Sequence, residues 1–196
     1  MRKLIGCGLL AALLVTGGCA TSPESKTVGN VSTRSDVFRE LSDGGAIPQG
    51  YADLRIVSSM KTHRPRLYSE KDPHGTAAYL LLVNVDGQVV RVGGINAEES
   101  SEPRSLRDPE SGDGIRYRFD KRVRLKAGTH KIAVALPEDD VAVAREIKLA
   151  AGSSNTLVLE PVYGATAAKR RPTAYTDTSF TEGITGLLTI LNGKPL

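Results

Sequence analysis

Along residues 51–196 the apolar positions fall in short alternating runs cut by turn residues, a pattern that predicts strands throughout. It is clearest over 115–136, where Ile115, Tyr117, Phe119, Val123 and Leu125, then Ile132, Val134 and Leu136, keep one parity within each run. That is the period of a strand with one face in a core. The same reading predicts strands over 53–58, 77–85, 88–92, 116–125, 130–136, 141–149, 155–162 and 185–191. Residues 77–85 are apolar on both parities, so this strand is expected to be central and buried on two sides. Asp86-Gly87 after it is a type I′ hairpin pair, and Gly128 and Gly152 close later turns. The apolar tail with Ile184, Leu187, Leu188, Ile190 and Leu191 is expected to return to the sheet. The fold class is all-β, an antiparallel β-sandwich of about seven or eight strands, immunoglobulin- or transthyretin-like in kind.

Two stretches break the pattern. Residues 93–114 collect Glu98, Glu99, Glu102, Asp108, Glu110 and Asp113 with Pro103 and Pro109, a composition that predicts a long, mobile, acidic loop. It lacks the alternating oxygen ligands of a calcium-binding loop. Residues 20–50 are rich in Ser, Thr, Gly and Glu, which predicts a flexible tether. Within it a short helix is expected over 35–41, with Ser35 as N-cap, Val37, Phe38 and Leu41 on one side and Gly44-Gly45 as the stop.

The N-terminus sets the compartment. Arg2 and Lys3 precede an apolar run over 4–15 that is too short to cross a bilayer core of ~30 Å, so 1–18 reads as a secretory signal peptide. The small residues Thr16-Gly17-Gly18 running into Cys19 resemble the lipobox of bacterial lipoproteins. That resemblance implies cleavage before Cys19, a diacylglycerol on its sulfur and added palmitate. It also implies a lipid anchor in the bacterial cell envelope, with Ala20 favouring the outer membrane over the inner. Cys7 would leave with the signal, so nucleophilic, disulfide and thiolate-metal roles fall together. The organisation expected is a signal peptide over 1–18, a lipidated tether over 19–50 and a sandwich domain over 51–196.

Charge adds one candidate surface. The formal net charge is +4, and Arg2 and Lys3 supply two of those charges, which argues against a nucleic-acid partner. Arg116, Arg118, Arg122 and Arg124 occupy the parity opposite the apolar residues. Guanidinium groups pair with phosphate in a forked geometry, so this row is a candidate anionic-ligand surface; the competing reading is an ordinary solvated sheet face. Lys121 in the apolar parity predicts a bulge or turn near Asp120 that splits the row. Lys169-Arg170-Arg171-Pro172 forms a second basic cluster. His63, His74 and His130, with Asp72, lack ligand-like spacing, so no metal site is expected. No nucleophile elbow, phosphate loop, zinc-protease or dinucleotide motif occurs, so neither an enzyme nor a cofactor is expected.

Three segments together resemble the PEGA domain: Val83-Asn84-Val85-Asp86-Gly87-Gln88, the turn from Leu125 through Gly128 and His130 to Val134, and the strand pair around Ile147 and Leu157. The resemblance covers roughly 79–161. It implies a small, non-catalytic envelope sandwich in which the Asp-Gly and Gly-x-His residues are structural. The function expected is a structural or binding module for a partner protein or an anionic envelope glycan. The alternatives are an envelope enzyme acting on cell-wall glycan through an unpatterned site, and a periplasmic carrier of an apolar ligand.

Overall fold

A computed structural model describes residues 32–42, 45–65, 72–105, 108–165 and 178–196. The strands are β1 (Phe38–Leu41), β2 (Tyr51–Thr62), β3 (Leu80–Val85), β4 (Gln88–Gly93), β5 (Ile95–Ser101), β6 (Gly112–Lys126), β7 (Gly128–Leu136), β8 (Val141–Leu149), β9 (Ser154–Tyr163), β10 (Ile184–Leu191) and β11 (Lys194–Pro195). They form a seven-stranded sheet in the order β1-β6-β2-β9-β10-β11, with β5 also on β6, and a four-stranded sheet in the order β4-β3-β7-β8. The two sheets pack as an all-β sandwich, and every strand that the alternation predicts has its counterpart. β3 lies inside its sheet, as its two apolar parities require, and the tail returns as β10 against β9. The ladders are antiparallel except that β2 and β9 run parallel, a pairing that joins chain segments about a hundred residues apart.

The inner faces meet in one core that includes Leu54, Ile56, Leu81, Val83, Tyr117, Phe119, Leu125, Val134 and Leu157. Aromatic rings fill one end of it: Tyr79 and Tyr117 lie 4.9 Å apart between ring centroids, and Tyr117 stacks on Phe119 at 5.9 Å. The β3–β4 hairpin has the expected left-handed backbone at both turn centres, with φ of 48° at Asp86 and 93° at Gly87. Asp86 also clamps the next turn, because its carboxylate accepts from His130 Nδ1 at 2.7 Å and from the Lys131 amide at 2.8 Å. The Asp-Gly and Gly-x-His residues therefore tie two turns together.

Three local expectations need correction. Residues 35–41 hold no helix; Phe38–Leu41 is β1, paired with Leu125 to Arg122 of β6. Seven residues cannot repay helix nucleation, whereas the edge of β6 offers ready ladder partners. Gln88 fixes the entry, its Oε1 accepting from the Val37 and Phe38 amides at 2.8 and 3.0 Å. Second, β6 is unbroken. Its register with β2 runs without a shift from Tyr51↔Lys126 to Thr62↔Ile115, so Asp120 and Lys121 mark no bulge. Lys121 instead reaches Glu40 of β1 in an ion pair.

Third, half of the acidic stretch 93–114 is strand, since Gly93 ends β4, Ile95–Ser101 is β5 and Gly112 opens β6. Its composition reads as loop because β5 has no apolar face to bury. What holds it is charge. Arg116 forks onto Glu99 at 2.8 and 3.1 Å and reaches Glu110 at 2.8 Å. The fully buried Lys61 donates to Ser101 Oγ, Glu110 O and Gly112 O at 2.9, 2.9 and 2.6 Å, using all three of its protons. Tyr163 Oη closes the group, donating to Glu110 at 2.6 Å while accepting from the Lys61 amide at 2.8 Å. Burial pushes the Lys61 amine down, with Glu99 opposing it. The bond to Arg116 holds the Glu99 carboxyl below its usual range. Gly114 is required here, because a Cβ would sit 2.7 Å from Thr62 O and 2.8 Å from Lys61 Cε.

Removing Arg116 takes away the close ion-pair partner of both Glu99 and Glu110 and leaves one cation, Lys61, against two carboxylates, so Arg116→Ala is expected to lower the urea-unfolding free energy by about 3–5 kcal/mol. Arg118→Ala, exposed on the same face of the same strand, is expected to stay within about 0.5 kcal/mol. Comparable small losses in both variants would contradict the network's role.

Candidate functional site

Even-numbered residues of β6 face outward from the seven-stranded sheet, and the four arginines there divide into two classes. Arg116 and Arg124 are buried, 6% and 8% exposed. Arg116 belongs to the network above, and Arg124 forks onto Asp53 at 2.6 and 2.9 Å. Arg118 and Arg122 are exposed. The expected row of four available guanidiniums is thus corrected to two, because ion pairing buries the outer members. The bond to Arg124 lowers the Asp53 carboxyl.

Folding adds two arginines that the reading of β6 alone could not find. β1 lies against β6 with Arg39 opposite Arg124, and β2 sets Arg55 opposite Arg122. Both are exposed, and Arg55 forks onto Asp120, with Nε 3.0 Å from Oδ1. Among the described residues Arg39, Arg118 and Arg122 make no ion pair. Two depressions open beside them. One, of about 300 Å³, is lined among others by Arg55, Arg122, Ser154 and Thr156 with the Arg124-paired Asp53; the other, of about 430 Å³, by Arg39, Arg124 and Tyr51 with the Arg34-paired Asp36. The basic cluster at 169–172 and Cys19 lie outside the described residues.

A second group gathers at one end of the sandwich. His63 leaves β2, Asp72 and His74 precede β3, and Asp139 closes the 3-10 turn Pro137–Asp139 between β7 and β8. His63 Nε2 donates to Asp72 Oδ2 at 2.8 Å, and His74 Nδ1 meets Asp72 Oδ1 at 2.6 Å. The far nitrogen of His74 faces Asp139 Oδ1 at 3.3 Å. Asp139, with 4% of its side chain exposed, also accepts from Tyr79 Oη at 2.5 Å and from the Ile184 amide at 3.2 Å. The rings of His63, His74 and Tyr79 follow one another at 4.8 and 4.9 Å, extending the aromatic core to the surface.

The electrostatics follow from these contacts. The bond to Asp139 raises His74 above the ordinary histidine value, against burial and with help from Asp72. Burial acts to raise Asp72, but hydrogen bonds from His63 and His74 outweigh it and bring the carboxyl to about 2. Asp139 is likewise lowered despite its burial, by His74 and Tyr79. Burial and the neighbouring Asp139 raise the Tyr79 phenol, keeping it a neutral donor.

The ligand-capable atoms of His63, Asp72 and His74 all lie within 4.8 Å of one another. Sequence spacing had argued against this grouping. Spacing rules describe ligands on one helix or one turn, whereas here the two histidines stand at separate points of the β2–β3 connection, eleven positions apart. Asp139 carried no signal in sequence beyond a Pro-Glu-Asp-Asp turn. Compared with protein-family models, curated proteins and solved structures, the chain matches none.

The raised His74 contributes stability that is fully present below the ordinary histidine value of about 6.5 and is lost as pH rises through its folded value. An NMR titration with a chelator present is expected to show the His74 ring titrating above that value in the native chain. In Asp139→Asn it should fall back toward it. Identical titrations would contradict the pairing.

Proposed function

We propose that this chain is a non-catalytic, lipid-anchored module of the bacterial cell envelope. Its seven-stranded sheet binds the phosphate groups of an anionic envelope glycan. The reading rests on one observation: Arg39, Arg118, Arg122 and Arg55 are exposed on a single sheet face, beside a depression that Ser154 and Thr156 also line. Like charges facing one another across strands cost stability. Asp53 neutralises Arg124 and Asp120 neutralises Arg55. Arg122 remains as a forked donor for a phosphate in the depression that Ser154 and Thr156 also line, and Arg39, beside the neighbouring depression, and Arg118 add positive charge to the same face.

The anchor in this proposal is Cys19 with its diacylglycerol and palmitate, the attachment that the lipobox-like residues imply. Among the described residues no helix is long and apolar enough to cross a membrane. The PEGA-like reading belongs to the same proposal and is supported by the Asp86–His130 clamp between its two signature turns. The carrier reading loses support because Tyr79, Tyr117 and Phe119 fill the space between the sheets at one end.

The test uses envelope fractions of cells expressing the full chain, scored for palmitate labelling, membrane partition and recovery of phosphorylated glycan. Cys19→Ser is expected to abolish labelling and partition. Arg39→Glu with Arg122→Glu should keep both but recover at least about tenfold less glycan, each cation being worth ~1 kcal/mol near an anionic surface. Labelling that survives Cys19→Ser, or glycan recovery unchanged by the double reversal, would overturn the corresponding half. A partner protein lost with the double reversal while glycan is kept would assign the face to protein.

A further inference from the structure

We propose that His63, Asp72 and His74 form a three-ligand site for a divalent transition metal, Zn²⁺ by its donor set, with Asp139 as the residue that orients His74. The site lies at the sandwich end and is independent of the arginine face.

The geometry carries this in four steps. First, two imidazole nitrogens, one from the chain leaving β2 and one from the chain entering β3, converge on the two oxygens of one carboxylate, at 2.8 and 2.6 Å. Each contact needs a proton on the ring nitrogen, and a dication replaces those two protons while keeping all three donors. Second, zinc bonds of about 2.0–2.2 Å place tetrahedral ligand atoms roughly 3.4 Å apart. The three candidate atoms already lie within 4.8 Å of one another, so closure needs side-chain shifts of about an ångström.

Third, the outer arrangement is already built. A histidine that binds metal through one nitrogen donates its other N–H to a carboxylate or carbonyl, which fixes its tautomer and ring orientation. His74 Nε2 faces Asp139 Oδ1 at 3.3 Å, and Asp139 is itself held by Tyr79 Oη and the Ile184 amide. Tilted ring contacts with His63 and Tyr79 on either side further restrict the His74 ring. Fourth, the charges and access fit. Asp72 and Asp139 balance a dication once both histidines are neutral. His63 and Asp72 are 24% and 19% exposed, so ion and water reach the site, leaving a fourth position for water. Two imidazoles with one carboxylate suit Zn²⁺ rather than Ca²⁺ or Mg²⁺, which take oxygen ligands.

A bound ion would join the chain leaving β2 to the chain entering β3, so it is expected to stabilise the fold as well as occupy it. The test uses the full chain without an affinity tag, stripped with chelator and titrated calorimetrically with Zn²⁺ alone. Co²⁺ serves as the spectroscopic probe. The expected result is one Zn²⁺ per chain, visible d–d bands of a four-coordinate nitrogen–oxygen site with Co²⁺, and a rise in Tm with Zn²⁺. His63→Ala, at the exposed edge where the fold tolerates it, should lose at least a hundredfold in affinity together with the Tm rise. Asp139→Asn should retain one site and weaken it about ten- to a hundredfold. Absence of Zn²⁺ binding in the native chain, or native affinity in a His63→Ala chain that circular dichroism shows folded, would overturn the proposal.

Discussion

The structure depends on a buried ionic group on the seven-stranded sheet: Lys61 and Arg116 with Glu99 and Glu110, two cations balanced by two carboxylates. Taking two cations out of water beside two half-buried carboxylates is costly, and the attraction between them offsets that cost only when hydrogen bonds satisfy each group. Here they do. Lys61 uses its three protons, Arg116 forks onto Glu99, and Tyr163 Oη donates to the Glu110 carboxylate, while Ser101 Oγ donates to the Glu110 backbone carbonyl. The return is register. β5 has no apolar face, so hydrophobic burial cannot fix its position on β6, and a slip by one residue would separate Glu99 from Arg116.

That arrangement also decides which arginines are open to solvent. β6 is long enough to receive β5 along its first half and β1 along its second, with β2 covering its other edge throughout. Arg116 is absorbed where β5 docks and Arg124 where Asp53 sits opposite it. Arg118 and Arg122 stand between these anchored points, and β1 and β2 bring Arg39 and Arg55 alongside. Rigid sheet backbone presenting exposed cations is a suitable base for binding, because little ordering remains to be done on association. The histidine–aspartate group follows the same logic at the sandwich end, where three separate segments meet over the aromatic column.

Much of this was legible in the chain, for reasons that differ by element. Period-two alternation locates the core strands because each has one face to bury, and the double parity of residues 80–85 marks the interior strand β3. Asp86-Gly87 declares its turn because few other pairs tolerate positive φ twice. β1 was misread because four residues carry too little pattern to separate strand from helix, and an available strand edge decided the outcome. β5 was misread because its stabilising partner, Arg116, is distant in sequence and appears there only as one of an arginine row. His63, Asp72 and His74 were named, yet spacing could not show that they converge, since Asp139 and the aromatic column that position them come from elsewhere in the chain.

The outer face of the seven-stranded sheet is the proposed binding surface. Amide chemical-shift mapping of the labelled chain with a soluble phosphorylated glucosamine tests it most directly. The account predicts perturbations that saturate and cluster at Arg39, Arg55, Arg122, Ser154 and Thr156, weakening as salt is raised. Perturbations confined to the four-stranded sheet, or none at saturating ligand, would contradict it.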